Sequence, residues 1–272
     1  MPRCAGLRVA GSFQYHRPRG ALLNLILLEP GEIAGDGSVS LSGPRAEHIV
    51  HVLRATAGAS VRVGVLDGGV GAGRVTALTD RTVDLHCELE AAVPPRPSVD
   101  LLMAVPRPKV MRRLWAQIAA LGVGQIILTN ASRVERNYFD THVLSEACYR
   151  PLLIEGLQQA RDTRVPGVSI RRQLKVLVED ELDAFFGTGL RVTAHPGVGK
   201  PLIETIRERA GHRVLVAIGP EGGWTPFELD LLAAHGFQTS DAGPRALRSD
   251  TACIAILALV HAALRAGSPP VE

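Results

Sequence analysis

Two different periodicities divide the chain. Between residues 22 and 93 apolar residues come in short runs or alternate with polar ones. Residues 22–28 (LLNLILL) are almost wholly apolar, residues 60–67 (SVRVGVLD) alternate, and GRVTAL and RTVDLHCEL follow at close spacing. Such short period-two segments predict β-strands joined by tight turns. Asp67-Gly68-Gly69 supplies hairpin residues, and Gly71 and Gly73 extend that turn region. One helix is predicted among the strands, from Pro44 to Arg54, with Ile49, Val52 and Leu53 on one face. Several short strands with one helix predict a small β-barrel over residues 22–93. Val93-Pro94-Pro95-Arg96-Pro97 then lacks three N–H donors, cannot pair in a sheet, and marks a domain boundary.

From Val99 strands alternate with helices. Residues 99–105, 125–129, 190–195 and 213–218 read as strands. That alternation predicts an α/β domain with a mainly parallel sheet over residues 98–272. Between the first two strands Val110, Met111, Leu114, Trp115 and Ile118 form one helical stripe, while Arg112, Arg113 and Gln117 face away. Thr225-Pro226-Phe227-Glu228 is a capping box with Pro at the first helical position. A last helix is predicted from about Asp250 to Leu264, capped by Ser249 or Asp250.

Composition narrows the class further. Thirty Lys+Arg against 27 Asp+Glu give a net charge of +3, and 46% hydrophobic with 21% charged residues exclude a disordered or coiled-coil chain. With 2 Trp, 3 Tyr and 6 Phe in 272 residues, a stacking platform for many bases is not expected. The four cysteines, Cys4, Cys87, Cys148 and Cys253, stand singly, which supports neither a zinc ribbon nor a dithiol site. They read as free thiols in a reducing cytosol, so a cytoplasmic protein is expected. The apolar run over residues 252–263 is broken by His261 and is too short to span a bilayer. Residues 1–21 are Arg-rich without an apolar signal core and are expected to be a disordered extension or the result of a start codon placed too early.

Several apparent motifs fail on spacing. His48 and His51 lie three apart and lack the H-E-x-x-H order, so they read as surface histidines. Gly197-Val198-Gly199-Lys200 has Ala194 and Pro201 where a phosphate loop needs Gly and Ser/Thr. Gly167-Val168-Ser169-Ile170-Arg171 lacks the second Gly of a nucleophile elbow. Gly219-Pro220-Glu221-Gly222-Gly223-Trp224 carries more information. It joins an apolar strand to a capped helix, and its glycines admit a ligand close to the backbone. A second segment, Asp241 to Ala252, combines a Gly-containing turn, Arg245 and Arg248, and a polar helix start. Arginine pairs with phosphate or carboxylate and stabilises an anionic base. Ligands of open α/β sheets sit at strand ends, where both loops are predicted.

On these residues the chain resembles the ribosomal RNA small subunit methyltransferase E family of the SPOUT superfamily, from about Leu22 onward. The family's G-P-E-G-G-aromatic signature matches Gly219 to Trp224. Its L-G-x-R-I-L-R-x-E-T-A pattern matches residues 242–252, with Ala242, Ala246 and Asp250 as departures. Weaker echoes are His48 to Arg54, Lys109, Leu121-Gly122-Val123, Gln159-Ala160-Arg161 with Arg164-Val165-Pro166, and His195-Pro196. The resemblance implies a PUA-like β-barrel for RNA and a SPOUT domain with a trefoil knot. It implies a homodimer that methylates N3 of a uridine in 16S ribosomal RNA, free or in the assembled small subunit, using S-adenosylmethionine. No metal and no membrane are implied. Cofactor contacts would come from His195, Pro196, Ile218, Gly219, Pro220, Glu221, Gly222, Gly223, Ala242, Gly243, Leu247, Ser249 and Thr251.

Uracil N3 is a poor nucleophile until its proton leaves, so the reaction needs a cation for the developing anion or a base. Arg248 or Arg245 is the candidate cation, and Asp250 or Glu221 the candidate proton acceptor. Net charge of +3 calls for local basic surfaces. Candidates are Arg45, Arg54, Arg107, Lys109, Arg112, Arg113, Arg133, Arg136, Arg161 and Arg164. The alternatives are an RNA-binding SPOUT-like protein that has lost catalysis, and a SPOUT ribose 2′-O-methyltransferase. If the basic set binds RNA, affinity measured by filter binding falls steeply as salt rises, and a flat salt response counts against it.

Overall fold

The computed structural model describes residues 25–209 and 211–267. The expected N-terminal extension and Cys4 lie outside the described residues. Five strands, β1 (Ile26–Leu28), β2 (Ser38–Ser42), β3 (Ser60–Val65), β4 (Val70–Leu78) and β5 (Thr82–Leu89), form one sheet in the order β1-β3-β4-β5-β2. Every ladder in it is antiparallel except β1 with β3. Alternation turns Val39, Leu41, Val61, Val63, Val75, Val83, Leu85 and Cys87 into a common core. Asp67 takes a positive φ of 55° at the predicted β3–β4 turn.

The predicted helix over Pro44 to Arg54 divides in two. α1 (Pro44–Glu47) passes into a π-helical turn, His48–Val52. The wider i→i+5 winding rotates the following side chains off the expected face. Ala46 and Ile49 are buried, but Val52 is 64% exposed, which corrects its placement on the apolar stripe.

The second sheet holds seven parallel strands. In chain order the elements are β6 (Val99–Ala104), α2 (Pro108–Ala120), β7 (Gln125–Thr129), α3 (Glu146–Ala160), β8 (Gly167–Arg171), α4 (Leu174–Val176), α5 (Leu182–Phe186) and β9 (Leu190–His195). There follow β10 (Lys200–Pro201), α6 (Leu202–Arg207), β11 (Val214–Ile218), α7 (Pro226–Ala234), β12 (Phe237–Asp241) and α8 (Ser249–Gly267). The sheet order is β10-β12-β9-β11-β6-β7-β8. β6, β7, β9 and β11 match the predicted strands to within one residue. β8, β10 and β12 were not among those predictions.

β12 lies between β9 and β10, which are consecutive in the chain. The connection 196–199 therefore crosses the end of a later strand. Gly199 makes this crossing possible: it has a φ of 90°, and a Cβ there would stand 2.4 Å from the Thr239 carbonyl oxygen.

β6 and β11 are buried at every position. On α2 Met111, Leu114, Trp115 and Ile118 are buried as the stripe requires, Val110 is half-buried, and Arg112, Arg113 and Gln117 are exposed. α8 is long and apolar enough by length and composition to cross a membrane. Here it packs on α2, α6, β6 and β11, with Cys253, Leu257, Val260 and Ala263 buried. Burial pushes the Cys253 thiol up to about 12. Cys87 is also buried and Cys148 half-buried, both as free thiols.

The two sheets are joined by specific bonds. Leu25, Leu27 and Leu66 belong to the larger, C-terminal hydrophobic cluster. Asp67 N donates to Thr163 O at 2.7 Å, and Thr163 Oγ1 donates to Gly68 O at 2.7 Å. Arg150 grips Glu29 through two bonds of 2.6 and 2.8 Å. On the other side, α2 and α3 touch through Gly156, where a Cβ would lie 2.1 Å from Ala116 O. Gly156→Ala must spread that helix pair and is expected to cost about 1–3 kcal/mol, read as a lower urea midpoint at unchanged m-value.

Candidate functional site

Three loops meet at one end of the parallel sheet. They leave β9 after His195, β11 after Ile218 and β12 after Asp241, and they enclose a cleft of about 290 Å³. Its wall contains His195, Pro196, Ile218, Gly219, Pro220, Glu221, Gly222, Gly223, Ala242, Gly243, Arg245, Leu247 and Ser249. The sequence reading had gathered these residues from three separate stretches. Arg248, Asp250 and Thr251 do not line it.

Specific bonds fix the loops. One carboxylate oxygen of Asp241 accepts from Gly197 N and from Gly243 N, each at 2.8 Å, and so clamps the first loop to the third. Gly197 N also donates to Gly243 O at 3.2 Å. The second loop runs into α7 through the predicted capping box: Thr225 Oγ1 accepts from Glu228 N, and Glu228 accepts from Thr225 N at 2.7 Å. Glu228 is buried, and its other oxygen accepts from Ser132 N at 2.7 Å. That bond draws the segment after β7 to the cleft, where Arg133 donates to Gly222 O.

The cleft wall holds polar atoms without partners among the described residues. Trp224 Nε1 and Ser249 Oγ are both buried and unbonded. Buried polar groups are normally paired, so two orphans in one wall fit a polar ligand there. Ser249 opens α8, but its hydroxyl makes no capping bond, contrary to one of the two expected caps. Gly219 is the cradle beside them: a Cβ there would lie 3.0 Å from the Trp224 ring.

Asp250 has another occupation. Oδ1 accepts from Thr251 N at 2.9 Å, and Oδ2 pairs with Arg113 of α2 at 2.9 Å. The Thr251 N–H, aided by the Arg113 guanidinium, holds its carboxyl below the usual range. Glu221 lies in the cleft wall and pairs with Arg107 at 3.3 Å.

The basic candidates divide the same way. Arg45 binds Glu32 through two bonds of 2.7 Å and also donates to Leu27 O. Arg164 donates to Pro94 O at 2.5 Å within the joint between the sheets. These two guanidiniums are engaged within the fold. Arg54, Lys109, Arg112, Arg136 and Arg161 are exposed. Sequence reasoning assigned Arg133 to RNA alone and missed its place in the cleft wall. It also missed Trp224, Ala194, Ala252 and Ile256 as lining. Trp224 had a signal, since it closes the G-P-E-G-G signature; Ile256 had none beyond helical spacing from Ala252.

Residues 94–261 match the family model described as an RNA methyltransferase domain, and residues 41–86 match that of an RNA methyltransferase PUA domain. The ribosomal RNA small subunit methyltransferase E of Treponema pallidum is 29% identical over 251 residues, covering 88% of this chain and 92% of that protein. A ribosomal RNA small subunit methyltransferase E 1 from Borreliella burgdorferi is 25% identical, covering 86% and 95%. The crystal structure of a ribosomal RNA small subunit methyltransferase E from Neisseria gonorrhoeae bound to S-adenosyl methionine has a similar fold. Its TM-score is 0.70 at 21% identity, covering 89% of this chain and 98% of that one.

Glu228→Ala leaves the Ser132 and Thr225 N–H groups without their acceptor. It is expected to lower stability by about 3 kcal/mol in urea unfolding, with the segment around Ser132 the first to lose hydrogen-exchange protection.

Proposed function

The chain belongs to the RNA methyltransferase family, and on that premise we propose that it transfers a methyl group from S-adenosylmethionine to N3 of a uridine in 16S ribosomal RNA. The observation that carries the reading is the three-loop cleft with its two orphaned polar atoms. The relatives' names, which specify the small ribosomal subunit, support the RNA assignment. The free rRNA or the assembled subunit would be the substrate, in the cytoplasm.

The residues present fit such a donor. Backbone groups of Gly219, Glu221, Gly222, Gly243 and Leu247 would hold its polar parts, with Trp224 Nε1 and Ser249 Oγ gaining partners. When bound, the donor supplies an electrophilic methyl carbon on a positively charged sulfur, which keeps the bonding pair and leaves neutral. The chain's part is to align the acceptor and manage one proton. Glu221 is the candidate carboxylate that lines the cleft, and it would take the N3 proton while the bonding pair stays on nitrogen. Asp250, bound to Arg113, is the poorer acceptor because its carboxyl is held low. Arg245 lines the cleft and would stabilise the uracil anion, whereas Arg248 stands outside the lining.

The same reading makes the C-terminal segment a threaded one, and β12 between β9 and β10 supports this. It also makes the chain a homodimer. Exposed Leu247 beside the cleft and Ile254 on α8 are apolar side chains that a second copy would cover.

Arg245→Lys keeps the charge but loses the planar two-point geometry. It is expected to slow turnover about 100-fold, and Arg248→Lys to slow it less. The readout is mass spectrometry of nuclease-digested rRNA from a strain lacking the protein, complemented by each variant. Ribose 2′-O-methylation in the complemented strain, or no binding of S-adenosylmethionine by calorimetry, overturns the reading.

A further inference from the structure

A second hollow of about 120 Å³ opens beside the cleft and shares three residues with it: Arg133, Pro220 and Glu221. Its remaining polar wall is Arg107, Glu135 and Tyr138. Pro220 and Glu221 of the G-P-E-G-G signature line it, and the other lining residues come from the segments after β6 and β7. Resting on the function proposed above, we propose that this hollow receives the acceptor uracil, flipped out of the RNA, with its Watson–Crick edge turned toward Arg107, Glu221 and Arg133.

The donor and acceptor pattern carries the assignment. The uracil edge presents a carbonyl, the N3–H and a second carbonyl. It needs donors on both sides of an acceptor. Glu221 offers the acceptor and stands on the wall common to both spaces, where N3 must face the donor of the methyl group. Arg107 pairs with the Glu221 carboxylate at 3.3 Å, and Arg133, which lines the same hollow, binds the neighbouring Gly222 carbonyl, so two guanidinium donors share the hollow with Glu221. Cytosine presents an amino group in place of one carbonyl and carries no proton on N3. It would face an arginine with a donor and leave Glu221 unpaired. An enzyme that acts on an extruded base reads it by that edge and holds its face against aromatic or apolar groups. Tyr138 supplies the aromatic wall, and Val105 and Val134 line the same hollow. The Tyr138 hydroxyl donates to Glu135 Oε1 at 3.2 Å in an exposed bond, so the ring rather than the hydroxyl is the part offered to the base.

Purified protein, small ribosomal subunits from a strain lacking it, and radiolabelled S-adenosylmethionine provide the test, with the product nucleoside identified by mass spectrometry. Tyr138→Ala and Arg107→Gln are expected to lower kcat/KM for the subunits by about 10- to 100-fold, the range that loss of a stacking or charged contact produces. Binding of S-adenosylmethionine by calorimetry should stay within about twofold, since neither residue lines the cleft. Tyr138→Phe keeps the ring and should retain most of the activity. Arg107 is 64% exposed, so its replacement reports even if Tyr138→Ala fails to fold. If the wild type forms N3-methyluridine and both variants match it, the hollow is not the base site, while the proposed function stands. If the wild type forms a different methylated nucleoside, that function and the uracil assignment fall together.

Discussion

Parallel pairing of β9 with both β11 and β12 sets one residue, Thr193, opposite Ala217 on one side and Thr239 on the other. With registers so aligned, the three strands end at one level, and their loops emerge side by side. Everything in the site follows from this levelling. A register slip of one residue in β12 would turn its buried Phe237 and Ser240 to the wrong side and withdraw Asp241 from Gly197 and Gly243. The slip is opposed from both sides of β12. Phe237 is in the core, and the Ser240 hydroxyl bonds Thr205 Oγ1 of α6 at 3.1 Å.

Backbone hydrogen bonds around the loops serve a second purpose. A cleft that binds through main-chain groups cannot let those groups wander, and glycines make wandering easy. Two carboxylates counter that freedom. Asp241 joins the β9 and β12 loops, and Glu228 fastens the β11 loop to the turn after β7. Neither carboxylate reaches the cleft lining. Their role is to hold others in place, which separates them from Glu221 only once the geometry is known.

Local chemistry made much of this legible and topology hid the rest. The capping box at Thr225 was readable because its residues are contiguous. β7 announced itself by the apolar run Ile126-Ile127-Leu128, and β9 by alternation of Leu190, Val192 and Ala194 with Arg191, Thr193 and His195. β12 did not: Gln238, Thr239, Ser240 and Asp241 are polar, and the strand is held by neighbours on both edges rather than by apolar content. β8 alternates Val168 and Ile170 with Ser169 and Arg171, but only over five residues, and it is half-buried at every position, so it offers no apolar block. The π-turn after α1 arises from backbone winding that no spacing rule detects. Arg45 and Arg164 looked like surface charge because Glu32 and Pro94 are distant in sequence, 13 and 70 residues away.

The distribution of charge around the cleft argues for a division of labour. Carboxylates near it fall into distinct situations: Asp250 bound by Arg113, Glu228 buried under three polar contacts, and Glu221 in the wall with its Arg107 partner on the surface. Moving a proton requires a carboxylate whose charge can be neutralised without dismantling the fold. Protonating Glu228 would weaken the cap of α7 and the tie to Ser132 together. Protonating Asp250 would free Arg113 and loosen α8 from α2. Protonating Glu221 weakens one exposed ion pair, worth little in stability because solvent screens it. On the function proposed above, Glu221 would be the carboxylate free to take part in chemistry, while Glu228 and Asp250 hold α7 and α8 in place.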